Sequence, residues 1–155
     1  MPYTEHEFMG ITQIMSESGE NQNSKVWLDR LNQDPEDQEA AANLGNYYFD
    51  AGDAAQAIVY YTIALQINPS IPGVQTDLGT MYWRNGNLSY AEKNFREVIQ
   101  NHPDFPTAYL NLGLLLVKGK GQYQEGRALW QTLIEKFIGH PAAARAKELL
   151  LETMQ

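Results

Sequence analysis

The sequence predicts an all-α protein, an α–α superhelix of stacked helical hairpins. Three observations predict it: one 34-residue period, amphipathic stripes at helical spacing inside each period, and glycine or proline wherever a helix must stop. Leu44-Gly45, Leu78-Gly79 and Leu112-Gly113 recur at that period, and so do Pro35, Pro69 and Pro103. Gly52 and Gly86, Tyr48 and Tyr82, Ala57 and Ala91, and Tyr61 and Phe95 repeat in the same register. A period shared by independent positions marks a solenoid, whose units cannot bury their apolar faces alone.

The elements follow in order. Residues 4–34 read as a degenerate repeat or as separate N-terminal helices. Phe8, Ile11, Ile14 and Met15 form one stripe, residues 18–24 a polar turn, and Val26, Trp27, Leu28 and Leu31 a second stripe before Asp34-Pro35. The alternative is an N-terminal helix that docks elsewhere, fills the groove of the array or swaps between chains. Repeat 1 spans 38–71. Its first helix carries Leu44, Tyr47 and Tyr48, and Gly52 ends it through a left-handed conformation. Its second helix carries Ala57, Ile58, Tyr61, Ala64 and Leu65 and stops at Asn68-Pro69, since proline disfavours a helical residue before it. Ser70 and Asp104 are expected to cap the helices that follow. Repeat 2 spans 72–105. Repeat 3 spans 106–140 and is irregular: its turn is lengthened at Lys118-Gly119-Lys120-Gly121, Gly126 stands where alanine is expected, and its late Pro141 implies a longer second helix. Residues 141–154, with Ala146, Leu149 and Leu150 on one face, read as a capping helix, which the end of a solenoid requires.

Small and large residues alternate for a packing reason. Gly45, Gly79 and Gly113 are expected where each first helix meets its own second helix, with Ala57 and Ala91 opposite, so that the axes approach closely. Tyr61, Phe95 and Trp130 are expected to fill the space between successive hairpins.

Charge and composition exclude several functions. Residues 1–39 carry nine acids and two bases, a net of −7 out of −8 for the chain. No Lys/Arg cluster exists to neutralise phosphates, which argues against nucleic acid. No apolar run approaches the ~20 residues that span a bilayer, so no direct membrane insertion is expected. The absence of cysteine removes disulfides and thiolate chemistry. No signal peptide is visible, which leaves the compartment open between cytoplasm and periplasm.

Chemistry finds little support. His102 and His140 precede prolines at helix ends, where a histidine meets C-terminal carbonyls. His6, between Glu5 and Glu7, lacks convergent ligands, because consecutive helical residues point about 100° apart. Gly119-Lys120-Gly121 lacks the spacing of a phosphate loop. No nucleophile constellation is seen, so neither catalysis nor a cofactor or metal is expected.

Leu-Gly, Tyr, Ala, an aromatic and Pro at this spacing resemble the tetratricopeptide repeat. Two units match well, and the third matches through its first helix. The resemblance implies a solenoid whose first helices line a concave groove that binds a partner protein or peptide. The groove positions that it implies are Glu39, Ala42, Asn46, Phe49 and Asp50 in the first unit. In the second they are Gly73, Thr76, Thr80, Trp83 and Arg84, and in the third Thr107, Leu110, Leu114, Val117 and Lys118. The co-chaperone type of the family clamps a carboxylate with lysines, an arginine and asparagines; only Asn46 fits that pattern here. The expectation is instead an apolar floor of Phe49, Trp83, Leu110, Leu114 and Val117, flanked by Asp50, Arg84 and Lys118. Such a floor suits an apolar or amphipathic segment of a partner, with Trp83 the first candidate hot spot. Two alternatives are a self-associating module, domain-swapped or head-to-tail, and a tethered accessory domain of a bacterial assembly complex.

Overall fold

Several helices start behind an aspartate or at a proline, and a glycine turns the chain after some of them. The computed structural model describes residues 17–155, with side chains from Ser24 onward, and every regular element among them is helical. These residues divide into two compact units, 17–87 and 88–155. The first contains α1 (Glu17–Gln33), α2 (Gln38–Asp50), α3 (Ala54–Ile67) and α4 (Pro72–Arg84). The second contains α5 (Leu88–Asn101), α6 (Pro106–Leu114) running into a π-helical turn (Leu115–Gly119), α7 (Tyr123–Lys136) and α8 (Pro141–Thr153). The expected stripe of Phe8, Ile11, Ile14 and Met15, together with His6, lies outside the described residues.

Asp37 and Asp53 cap α2 and α3, accepting hydrogen bonds from the backbone N–H of Ala40 at 2.9 Å and Gln56 at 3.1 Å. Gly52 and Gly86 close α2 and α4 at φ +76° and +84°, a region that L side chains resist. Ser70 and Asp104 are not the caps expected of them. Ile71 and Phe105 hold those positions without a side-chain bond, and Pro72 and Pro106 at the first helical residue fix where those helices begin. His140 likewise belongs to the next helix rather than the previous one. Its Nδ1 accepts from the Ala142 N–H at 3.0 Å and opens α8.

Two further expectations are corrected. Residues 18–24 form no turn; α1 runs through them without a break. Gly19 and the polar residues around it lower helix propensity, a single glycine by only about 1 kcal/mol, and do not stop a helix that packs along a neighbour. At the other end of α1, Arg30 binds the capping Asp37 at 2.8 Å and Glu39 at 2.8 Å while its guanidinium lies over Trp27. The Ala40 N–H and then Arg30 hold the Asp37 carboxyl below its usual range. Nor is α7 longer than its counterparts: it has 14 residues, like α3 and α5. Gly139, at φ +83°, turns the chain after it.

The surplus length of the third hairpin resides in its turn. The Lys120 N–H reaches back five residues to the Leu115 carbonyl, and the Gln122 N–H reaches Leu116. Glycine at 126 then has a steric reason: a methyl there would overlap Val117 and the Gly113 carbonyl. The turn is tied by charge. Arg96 on α5 binds Glu92 at 2.8 Å and Glu125 on α7 at 2.7 Å, and Lys120 binds Glu92. Burial raises the Glu92 carboxyl, but the bonds from Lys120 and Arg96 outweigh it and leave the group below its usual range.

Each unit has its own core. In the first, Tyr61 lies fully buried with Phe49, Ala57, Leu78 and Met81. Its ring sits on Gly45 of its own hairpin, so closely that a methyl at Gly45 would overlap it. It therefore seals its own hairpin as well as meeting the next one. In the second, the Trp130 ring lies on Gly113 in the same way, and its indole N–H donates to the Leu110 carbonyl at 3.2 Å. Every residue from Ala108 to Leu114 is buried, as an all-round apolar helix demands.

Candidate partner-binding face

The groove positions expected from the sequence separate into two kinds. Asn46, Asp50 and Glu39 on α2 are exposed; Arg84 on α4 and Lys118 after α6 are half-buried. Phe49, Trp83, Leu110, Leu114 and Val117 are buried, the first only 6% exposed and the last four 0–3%. The open apolar floor expected of these five residues is therefore not at the surface. Burial inside the chain removes the same apolar area from water that a partner would remove. Thr76 and Thr80 are buried too, and their hydroxyls donate to the carbonyls of Pro72 at 2.7 Å and Thr76 at 3.2 Å.

On α2 and α4 of the first unit a polar constellation remains. Asn46 and Asp50 lie one turn apart on α2, and Phe49 places its ring beneath Arg84, whose guanidinium carbon is 4.9 Å from the ring centroid. Arg84 forms no ion pair among the described residues. Two members were missed by the sequence reading. The Tyr61 hydroxyl rises from the core and donates to Asn46 Oδ1 at 2.7 Å. Asp77, half-buried on α4, has its carboxyl pushed up to about 7, first by burial and then by Asp50, against the opposing pull of Arg84. Burial, then Asp77 and Asp50, raise the Tyr61 phenol as well. Asp77 follows Thr76 directly, so only its acidity distinguished it; Tyr61 differs from Phe95, one period on, by the hydroxyl that it uses here.

Two open surface hollows lie elsewhere, both within residues 88–155. One, of about 830 Å³, lies at the first turn of α7; the other, of about 470 Å³, lies between the end of α7 and the start of α8. Neither contains a residue of the expected rows. No described helix is long and apolar enough to cross a membrane.

Three family profiles, each described as Tetratricopeptide repeat, match residues 38–71, 76–120 and 107–137. The chain is a tetratricopeptide-repeat protein. No curated protein matches it in sequence. Its fold is similar to the Arabidopsis OM64 TPR domain, at 17% identity and a TM-score of 0.66, over 75% of this chain and 95% of that one. It is similar to a MamA crystal structure at 18% identity and a TM-score of 0.71, over 88% and 85%. It is also similar to the MamA MSR-1 C2 structure at 16% identity and a TM-score of 0.62, over 87% and 70%. At these identities the likeness is one of fold. Tetratricopeptide repeats form a protein-interaction scaffold that is not typically enzymatic, and this chain is such a scaffold.

Proposed function

We propose that this tetratricopeptide-repeat protein holds an amphipathic segment of a partner protein against the α2–α4 face of residues 38–84. The observation that carries the reading is the polar set Asn46, Asp50, Asp77 and Arg84 on adjoining first helices, above a buried apolar layer that includes Phe49. The buried layer fixes the positions of the polar groups, and those groups contact the partner. In the second unit Lys118 plays the corresponding part, with Leu110, Leu114 and Val117 as its support. Capture from native lysate tests this. An Asn46→Ala, Arg84→Ala variant, shown by circular dichroism to be folded, should lose a protein that the wild type retains. A Tyr90→Ala, Tyr123→Ala variant, altered at exposed residues of α5 and α7, should keep it. Retention by the first variant and loss by the second would place the contact elsewhere.

Self-association has one observation in its favour. Ala144 and Leu151 are exposed on α8, and Met154 just after it, with Leu151 67% and Met154 73% exposed. Exposed apolar side chains grouped in this way mark contact sites. Light scattering on concentrated protein tests it: a particle mass that stays at one chain at all concentrations rules out the oligomer.

A further inference from the structure

The turn that ends α4 carries a reactive dipeptide. Asn85-Gly86 is the one place in the chain where glycine follows asparagine. An asparagine carboxamide can be attacked at Cγ by the backbone nitrogen of the residue after it, and glycine hinders that approach least because it has no side chain. Asn85, Gly86 and Asn87 are exposed, and nothing lies within 4 Å of where a Gly86 side chain would begin. Water therefore reaches the site. Two features of the fold restrain the reaction. The Gly86 N–H, which carries the attacking nitrogen, donates to the Trp83 carbonyl at 2.9 Å, and the Asn87 N–H donates to Tyr82 at 2.8 Å. Asn85 also holds ψ at 4°, whereas ring closure needs the Gly86 nitrogen rotated until it eclipses the Asn85 Cβ. Both restraints go when the last turn of α4 opens, and helix ends open at low cost. The asparagine is not required by the turn. Ala51 holds the same place after α2, at φ −72° and ψ −9°, and the N–H groups of Gly52 and Asp53 reach Phe49 and Tyr48 at 3.1 and 2.9 Å.

We propose that Asn85-Gly86 is a site of spontaneous deamidation, paced by opening of the C-terminal turn of α4. The Gly86 nitrogen gives up its proton and forms a bond to the Asn85 Cγ. The bond from Cγ to the side-chain nitrogen breaks, and that nitrogen leaves as ammonia. Water then opens the cyclic imide at either carbonyl and leaves aspartate or isoaspartate. Either product places a negative charge beside the C-terminal carbonyls of α4, where an anion is unfavourable. Isoaspartate also lengthens the main chain by a methylene, so that the N–H groups of Gly86 and Asn87 no longer meet the carbonyls of Trp83 and Tyr82. The modification thus loosens the turn that restrained it.

Peptide mapping by mass spectrometry over time tests this, on the full chain held in mildly alkaline buffer, native and in urea. In urea Asn85 should be the first asparagine converted. In the native chain the same site should convert roughly tenfold to a hundredfold more slowly, as a local opening implies. The converted chain, separated by its added charge on anion exchange, should melt at a lower temperature than fresh protein. Asn85→Ala, aged alongside, should keep its melting temperature. Earlier conversion of another asparagine would overturn the site, and equal rates in the two states would overturn the restraint by the turn. A native rate as slow as the unfolding equilibrium of the whole chain allows would mean that the end of α4 does not open by itself, and would overturn the pacing. A converted chain that melts like fresh protein would overturn the loosening.

Discussion

At the scale of the residue, two positions carry consequences that can be measured. Gly45 has the Tyr61 ring where its side chain would be. Gly45→Ala should destabilise the chain by about 1–3 kcal/mol in urea unfolding, because the ring must leave a packed position. Asp77 carries the other. Burial and then Asp50 push its carboxyl up to about 7 in the folded chain, against an ordinary 3.8. Below both values the group is neutral in either state. Between them the folded chain keeps a proton that the unfolded chain has released, so stability falls as pH rises through that window and levels off above it. Asp77→Asn should therefore be nearly neutral at about pH 4 and stabilising by about 1–3 kcal/mol at about pH 8. Equal effects at both pH values would contradict the assignment. Neither Asp77 nor the Tyr61–Asn46 bond was legible in the sequence. Periodicity marks which residues face inward, but the environment of a carboxylate depends on what another helix brings to it.

At the scale of the element, helix ends show how local signals compete. Asp53 caps α3 as an aspartate after a glycine should, and Asp53→Ala should cost about 1 kcal/mol. Ser70 and Asp104 carry the same chemical signal but lose to the prolines that begin the next helices. The residues 18–24 look like a loop by composition, yet their one glycine, Gly19, only weakens a helix and no proline stops it, and packing of α1 on α2 prevails. The lengthened third turn was legible from its glycines. Its π-helical geometry was not, since that depends on Gly126 admitting Val117 and on the ions that hold Lys120. Glu92→Gln removes the partner of both Arg96 and Lys120. It should cost about 1 kcal/mol, with the cost diminished in about 0.5 M salt, because these pairs lie near the surface. A loss independent of salt would mean that the turn is held by packing alone.

At the scale of the whole molecule, the repeat made the fold legible. A 34-residue period with glycine, proline and aromatic residues in register specifies hairpins whatever the helices face. The binding face was legible only in part. The row positions Asn46, Asp50 and Arg84 lie at least partly at the surface, but the row positions Phe49, Trp83, Leu110, Leu114 and Val117 do not. An apolar residue at a groove position looks the same in sequence whether a partner or the chain itself covers it. The central claim is that this scaffold engages its partner through the polar α2–α4 face. The most direct measurement is amide hydrogen exchange on the chain with and without the captured partner. The account predicts added protection concentrated in residues 38–50 and 72–84. Protection confined to residues 123–153, with 38–50 and 72–84 unchanged, would contradict it.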